Sequence, residues 1–236
     1  MWSGPRNIST ALMRSWGSRS DAVVCDEPLY APYLLVTQDR RHPGFDETLA
    51  HHETDWRKVA AWLTGPLPDD KRVFYQKHMA HHLLPHIELD WIDELTNCLL
   101  IRDPREMLGS LVEFLPEPKL ADTGLLQQVT LWRRLVERTG GAPIVVDARD
   151  VLADPPRMLR LMTEQVGVPY DEAMLRWEPG PRETDGAWGP FWYEKVYPTT
   201  GFTPYQPERR DVPRGLRSLL AECEELYAEL YAHRLH

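Results

Sequence analysis

Short apolar runs alternate along the chain with longer amphipathic stretches. The apolar runs are rich in Val, Ile and Leu and lie at residues 22–25, 73–76, 97–101 and 143–147. The amphipathic stretches repeat apolar side chains at helical spacing, at residues 9–16, 56–63, 104–114, 125–139, 155–166 and 214–234. Nearly continuous apolar strands are typical of parallel sheets buried on both faces. The pattern therefore predicts an α/β fold, with a parallel sheet of about five strands covered by helices on both faces.

The length of 236 residues fits a single domain, residues 1–236, with one exceptional segment. Residues 178–213 hold seven prolines and seven aromatic side chains. So many prolines preclude a regular helix, and so many aromatic rings are unusual for a disordered chain. We expect an irregular loop packed on the domain, followed by a C-terminal helix over residues 214–234.

Composition narrows the classes of function. The net charge of −9 disfavours a nonspecific nucleic-acid binder, and no apolar run is long enough to span a membrane. Three cysteines without regular spacing do not make a disulfide framework, and the N-terminus lacks a signal segment. We expect a cytoplasmic protein; the sequence does not predict its oligomeric state.

Ligands of parallel sheets bind at the carboxyl ends of the strands, so the residues that follow each strand are candidates for a binding site. Residues 3–10 lead directly into a helix, where free N–H groups and the helix dipole favour an anion. Arg6 adds a cation, and Ser9 and Thr10 add hydroxyl groups. Taken alone, this loop is also explained by a helix capped by Asn7 or Ser9, with no ligand.

Three further strand ends carry polar side chains. Arg102 ends one strand, and Ser110 lies two turns into the following helix, although Arg102 could simply pair with Asp103. His78 follows another strand, and Glu27 lies in the turn after the strand at 22–25. Four histidines, including His78, are spaced so that they could bind a metal ion. No cysteine or reliably placed carboxylate completes a ligand set, so we predict no metal. Those histidines are His78, His81, His82 and His86.

Taken in order, the segments at 3–10, 76–85 and 102–110 resemble the sulfotransferases that use 3′-phosphoadenosine-5′-phosphosulfate (PAPS). The similarity spans roughly residues 3–176 and is closest to small bacterial sulfotransferase-like proteins whose plant relatives are joined to an aminotransferase-like region. It implies a P-loop NTPase-like fold. It also implies a loop that binds the 5′-phosphosulfate, with Arg6 in place of the usual Lys; the loop residues are Arg6, Asn7, Ile8, Ser9 and Thr10. Arg102 and Ser110 match the Arg and Ser of the family's 3′-phosphate site, and His78 matches its catalytic histidine.

The sequence departs from the family's pattern at several positions. Gln76 replaces a lysine, although Lys77 is adjacent, and Ala148 stands where a tyrosine often contacts adenine. The family's C-terminal glycine-rich phosphate loop is absent; residues 199–202 with Arg209 and Arg210 are a possible replacement. Only Met1 and Trp2 precede the phosphate loop, so either its strand is very short or the chain begins further upstream.

The resemblance implies transfer of a sulfuryl group from PAPS to a hydroxyl or amine of a small-molecule acceptor, without a metal. We favour His78 over Glu27 as the general base, with Arg6 stabilising charge on the transferring group. Two alternatives stay open. One is a small-molecule kinase of similar architecture, which would need a Walker-type lysine that the loop lacks. The other is a noncatalytic nucleotide-binding or interaction module of the same fold.

Overall fold

A computed structural model describes residues 1–206 and 211–236. Within these residues five strands alternate with eleven α-helices. The strands are β1 (Trp2–Ser3), β2 (Ala22–Asp26), β3 (Val73–Met79), β4 (Cys98–Ile101) and β5 (Ile144–Asp147). The helices are α1 (Ser9–Gly17), α2 (Tyr30–Thr37), α3 (Phe45–His51), α4 (Trp56–Leu63), α5 (Pro104–Leu111), α6 (Leu120–Thr123), α7 (Leu125–Thr139), α8 (Ala148–Ala153), α9 (Pro155–Gln165), α10 (Gly189–Trp192) and α11 (Arg217–Tyr231).

The chain forms two compact units. The first comprises Met1, residues 9–95 and residues 171–203. It contains the parallel pair β2 and β3, with α1 packed on both strands. Met1 runs beside β3, because its nitrogen donates to the Gln76 carbonyl and its carbonyl accepts from the His78 amide, each at 2.8 Å. An aromatic core packs around α2 and includes Tyr30, Tyr33 and Trp188.

The second unit comprises residues 2–8, residues 96–170 and the described residues from 204 onward. In it β4 lies between β1 and β5, and both pairings are parallel. Helix α11 packs against β4, β5, α5 and α7. The predicted fold class is confirmed, because the five strands are parallel and are flanked by helices in an α/β arrangement.

Local sequence signals fix several helix boundaries as predicted. Asp103 caps α5 by accepting a hydrogen bond from the Arg105 amide at 2.8 Å, and Pro104 is the first helical residue. Asp154 caps α9 in the same way. Gly140, with φ of +68°, ends α7 in the left-handed conformation that a residue without a Cβ adopts readily. The bounds predicted for α4 and α7, 56–63 and 125–139, are confirmed.

Other boundaries differ from the prediction. Strand β3 runs to Met79 and not only to residue 76, because the backbone of Met1 pairs with Gln76 and His78. Lys77 and His78 therefore lie inside a buried strand and not in the loop after it. Helix α5 ends at Leu111, three residues short of the predicted end. The three cysteines are buried and unpaired. In the part of the chain that the structure describes, no helix is both long and apolar enough to cross a membrane.

Candidate functional site

The loop before α1 brings two predicted site residues into contact. Arg6 donates through Nε to the Ser110 hydroxyl at 2.9 Å, and its guanidinium lies 4.4 Å from the centre of the Phe114 ring. Arg6 has a φ of +54°, which is uncommon for a residue with a side chain. The loop approaches closely at Gly4, where a Cβ would lie 2.5 Å from the Thr123 carbonyl oxygen. Only glycine fits this contact, so the backbone there is closely defined.

Arg102 supports the same loop from the end of β4. Its Nη1 donates to the Arg6 carbonyl at 2.7 Å. Its Nε and Nη2 each lie 3.1 Å from one oxygen of Glu106, which is in the first turn of α5. Asp103, the alternative partner considered from sequence, caps α5 instead. The structure therefore joins Arg6, Arg102 and Ser110, which the resemblance assigned to two different phosphates.

Glu106 is held on its other side by Tyr205, whose hydroxyl donates to it at 2.5 Å. This hydrogen bond to Glu106 raises the pKa of Tyr205 to about 12. The Arg102 side chain is 27% exposed. We call Arg6, Arg102, Glu106, Ser110 and Tyr205 the arginine cluster. It holds two cations for one carboxylate and is open to solvent.

In the rest of the predicted phosphate loop, Asn7 stabilises the loop, and Ser9 and Thr10 begin α1. The Asn7 side chain accepts from the Ile8 amide at 2.8 Å and donates to the Leu100 carbonyl at 3.1 Å. Asn7 therefore fixes the loop, and the amide of Ile8 is engaged. Ser9 and Thr10 open α1 and are buried. Their amides are among the first N–H groups of that helix, which have no acceptor within it.

The first unit contains a second group of charged side chains, which surrounds Lys77. The ammonium of Lys77 donates to Asp26 at 2.8 Å, to the Tyr193 hydroxyl at 2.7 Å, and to Glu27. Lys77 and Asp26 are each only 1% exposed. Burial alone would lower the pKa of Lys77, but the carboxylates of Asp26 and Glu27 outweigh it and raise the pKa above its usual value. All three N–H groups of the ammonium are thus used.

Asp26 receives further donors from the segment at 171–203. The Tyr193 hydroxyl lies 2.7 Å from Asp26 Oδ2, and the Trp188 indole nitrogen lies 3.1 Å from it. The Gly186 amide lies 3.3 Å from the same oxygen. We call Asp26, Glu27, Lys77, Trp188 and Tyr193 the lysine cluster. The burial of Asp26 is therefore matched by a full set of hydrogen bonds.

Glu27 is the member of this cluster with an uncommitted oxygen. Its Oε1 receives Lys77 and lies 3.4 Å from the Tyr193 hydroxyl, whereas no described residue donates to Oε2. Its φ is +39°, and its amide donates to the Lys77 carbonyl at 2.8 Å, which fixes it directly after β2. Burial raises the pKa of Glu27, although Lys77 opposes the shift. Two carboxylates share one ammonium here, so uptake of one proton would neutralise the cluster.

His78 lies in a different environment. It is 2% exposed within β3, and its Nε2 is 3.3 Å from the Gln76 side-chain oxygen. Burial, followed by repulsion from nearby positive charges, lowers its pKa well below the usual value. His82 stacks on Tyr30 with ring centres 4.7 Å apart, and both rings belong to the buried interior. Among the residues that the structure describes, no three His, Cys, Asp or Glu side chains are grouped so that they could hold a metal ion.

Six members of the two clusters were not among the predicted site residues, namely Glu106, Tyr205, Asp26, Lys77, Trp188 and Tyr193. Glu106 carried a usable signal, since it lies in the first turn of α5, four residues after Arg102, which directly precedes the cap of that helix. Asp26 was visible as a strand-end residue, but nothing local linked it to Trp188 and Tyr193. Of the suggested replacement for the family's C-terminal loop, Thr199 accepts from the Trp177 indole at 3.1 Å. Arg209 and Arg210 lie outside the described residues.

Comparison with known proteins decides the family. A family model described as the sulfotransferase domain matches residues 1–232. The chain belongs to the sulfotransferase domain family. A solved structure, the sulfotransferase domain from the Synechococcus PCC 7002 olefin synthase, is similar with a TM-score of 0.54. That similarity covers 100% of this chain and 94% of the other at 16% sequence identity, and it bears on the fold alone.

Two curated proteins of Arabidopsis thaliana are also similar to this sulfotransferase domain. They are named branched-chain-amino-acid aminotransferase-like proteins 1 and 2, and each is 34% identical over the whole of this chain. The chain spans about two-fifths of their length, 41% of one and 42% of the other. The predicted resemblance to sulfotransferases is confirmed.

Proposed function

We propose that this sulfotransferase domain transfers a sulfuryl group from PAPS to a hydroxyl or amine of a small-molecule acceptor in the cytoplasm. The observation that carries the proposal is the arginine cluster, in which Arg6 contacts both Ser110 and Arg102. Arg6 lies in a loop whose backbone is closely packed at Gly4. Guanidinium groups bind phosphate through paired hydrogen bonds, so two of them with a hydroxyl suit a phosphorylated nucleotide. The free cysteines are in keeping with a reducing compartment.

Arg102 retains capacity for a ligand. Of the five N–H groups of its guanidinium, three point to Glu106 and the Arg6 carbonyl, and no described residue engages the other two. We assign Arg102 and Ser110 to the 3′-phosphate of PAPS. We assign Arg6, with the amides at the start of α1, to the charge that develops near the 5′-phosphosulfate. The chemistry uses these cations and no metal ion.

The sequence favoured His78 over Glu27 as the general base; from the surroundings of the two side chains we propose Glu27 instead, with His78 as the competing candidate. Bound PAPS supplies a sulfuryl group joined to a phosphate oxygen. The acceptor's oxygen or nitrogen bonds to sulfur, the bond from sulfur to the phosphate oxygen breaks, and the acceptor's proton passes to Oε2 of Glu27. The products are the sulfated acceptor and adenosine 3′,5′-bisphosphate (3′,5′-ADP). A carboxyl with a raised pKa and one uncommitted oxygen supports this role, whereas His78 is enclosed in β3.

The donor is tested by thermal-shift and turnover measurements. We expect 3′,5′-ADP to stabilise the protein more than 5′-ADP or ATP with magnesium does, and ³⁵S from labelled PAPS to appear in small-molecule acceptors. A preference for ATP with magnesium would indicate a kinase instead. Binding of 3′,5′-ADP without any turnover would indicate a noncatalytic nucleotide-binding module, and no response to any nucleotide would indicate an interaction module; either result would contradict the proposal.

The base is tested by comparing Glu27→Gln with His78→Gln. Loss of a general base typically costs about 10²–10⁴-fold in rate. We expect that loss in kcat for Glu27→Gln, with affinity for 3′,5′-ADP unchanged. Glu53→Gln, which alters an exposed carboxylate, is the matched control. A rate loss confined to His78→Gln would assign the proton to the histidine.

A further inference from the structure

The Tyr193 hydroxyl has an unusual position in the lysine cluster. It lies 2.7 Å from the Lys77 ammonium, 2.7 Å from Asp26 Oδ2 and 3.4 Å from Glu27 Oε1. Among the described residues it is the one hydroxyl that contacts all three charged groups. It comes from the segment at 171–203, so it joins the ends of β2 and β3 from a distant part of the chain.

Counting protons shows what this hydroxyl does. A phenol donates one hydrogen bond and accepts up to two. Lys77 donates to the Tyr193 oxygen at 2.7 Å, and the single N–H of the Trp188 indole is shared between Asp26 Oδ2 and that oxygen, at 3.1 and 3.2 Å. The Tyr193 oxygen therefore accepts from Lys77, and its own single proton goes to a carboxylate. The short contact to Asp26 identifies that carboxylate. With Asp26 supplied by Tyr193 and Trp188, the remaining N–H of Lys77 is directed to Glu27.

We propose that Tyr193 is a positioning residue for Glu27. Because its hydroxyl donates a hydrogen bond to Asp26, Lys77 divides its charge between the two carboxylates. This inference rests on the proposed function, since it concerns how the base of that reaction is held ready for the acceptor's proton. Without the hydroxyl, Asp26 would draw Lys77 toward itself. Glu27 would lose part of its cationic partner and hold a proton more tightly.

Four charged or titratable groups face Glu27 and interact with it electrostatically. They come from β2, from β3, from the start of α2 and from the segment at 171–203, and are Asp26, Lys77, Tyr30 and Tyr193. Tyr30 also donates its amide to the Glu27 carbonyl at 2.9 Å. Of the two hydroxyl groups in this set, that of Tyr30 lies 2.7 Å from His42 Nδ1, whereas that of Tyr193 contacts both carboxylates and can be removed without altering a charge.

The test compares Tyr193→Phe with Tyr197→Phe. Tyr197 is a fitting control, because its ring packs on Tyr193 with centres 6.3 Å apart and no described residue hydrogen-bonds to its hydroxyl. The titration of Glu27 is followed by ¹³C NMR of labelled glutamate, assigned with Glu27→Gln, and the acidic limb of kcat/KM for PAPS turnover is measured in parallel. We expect both midpoints to move up by roughly half to one pH unit in Tyr193→Phe. Tyr197→Phe should leave both midpoints in place.

Incorporation of 3-fluorotyrosine at position 193 keeps the shape and strengthens the hydrogen bond donated to Asp26, so the Glu27 midpoint should move down. This substitution provides the test if Tyr193→Phe does not fold. Equal Glu27 midpoints in wild type, in the variant at 193 and in Tyr197→Phe would overturn the inference. A wild-type protein that turns over no PAPS would overturn the proposed function, while the NMR midpoints would still decide whether Tyr193 controls Glu27.

Discussion

The lysine cluster and the arginine cluster use similar side chains in opposite ways. Each contains a residue with a side chain in the left-handed backbone region, Glu27 in one and Arg6 in the other. In the lysine cluster two carboxylates share one cation, Lys77, which is 1% exposed and has every N–H committed. In the arginine cluster Arg102 pairs with the carboxylate of Glu106, Arg6 donates to the Ser110 hydroxyl, and the Arg102 side chain is 27% exposed.

This difference separates two tasks that charged residues perform. A net charge is costly where water is absent, so a buried set of charged groups resists any change that adds to its charge. Two carboxylates and one ammonium leave the lysine cluster with one net negative charge, which the uptake of a single proton at the uncommitted oxygen of Glu27 would remove. A partly exposed set with uncommitted N–H groups keeps its affinity for an external anion. The predictions below test this division, from the largest expected effect to the smallest.

Replacing Lys77 should have the largest effect. Lys77→Met leaves two buried carboxylates without their cation, and breaking a buried ion pair in this way costs about 3–5 kcal/mol. We expect that loss in the free energy of unfolding, measured with urea at pH 7. The loss should shrink in acid, since the unpaired carboxylates of the folded variant then take up protons.

Arg133→Met supplies the contrast for Lys77→Met. Arg133 pairs with Glu229 at 2.6 Å, but its side chain is 63% exposed. Water screens such a pair, so its removal should alter the unfolding free energy little. Similar losses in the two variants would contradict the importance of burial in the lysine cluster.

Removing the guanidinium of Arg102 should weaken nucleotide binding without unfolding the protein. A charge-assisted hydrogen bond contributes about 1.5–3 kcal/mol, so Arg102→Ala should reduce the affinity for 3′,5′-ADP by about 10- to 150-fold. Affinity for 5′-AMP, which lacks the 3′-phosphate, should change far less. Calorimetry with both nucleotides measures the difference. Arg105→Ala, which removes the neighbouring exposed arginine paired with Glu224, is the control.

The pH dependence of stability should report the buried histidines of the first unit. Burial, aided by the charge of His42, lowers the pKa of His81 to about 3. Folding therefore keeps His81 neutral, while the unfolded chain protonates it below about pH 6.5. Stability is then present above that pH and is lost as the pH falls toward 3.

His81→Phe should remove this loss. Relative to wild type, the variant should gain about 2 kcal/mol in unfolding free energy between pH 7 and pH 5. The aromatic ring preserves the edge contact with Tyr33, whose ring centre lies 5.5 Å away. Urea unfolding at the two pH values measures the gain, and identical pH dependence in both proteins would show that His81 does not contribute.

The smallest effect concerns Glu106, which under the proposed function would compete with the nucleotide for Arg102. Glu106→Gln keeps an oxygen for the Tyr205 hydroxyl but removes the charge that holds Arg102. Since partly exposed ion pairs contribute less than about 1 kcal/mol, affinity for 3′,5′-ADP should rise by about two- to five-fold. Glu224→Gln, at an exposed pair with Arg105, should leave the affinity unchanged.

The sequence predicted features that local patterns determine. The bounds of α4 and α7, and the aspartate and proline pairs that begin α5 and α9, follow from periodicity and capping chemistry. Helix α2 was not predicted, because it is apolar on nearly every side and contains Pro32, so it lacks a helical period. The ends of β2, β4 and β5 were placed to within one residue from their apolar runs.

Long-range contacts account for what the sequence did not predict. The pairing of Met1 with β3, which encloses Lys77 and His78, has no counterpart in the local pattern of residues. Likewise, Tyr193 is 167 residues from Asp26 along the chain. The prolines and aromatic rings of its segment predicted a packed loop but not which residues the loop contacts. The identities of Arg6, Arg102 and Glu27 could be proposed from sequence, but their partners could not.

The left-handed backbone at Arg6 and Glu27 has an evolutionary consequence. Such a conformation costs a residue with a Cβ about 1 kcal/mol or more, while glycine adopts it freely and asparagine more readily than most residues. A duplicated gene that is no longer selected for its chemistry should therefore drift toward glycine or asparagine at both positions. Under the proposed function, arginine at the first position together with glutamate at the second should mark, in a survey of genomes, the copies that keep this chemistry.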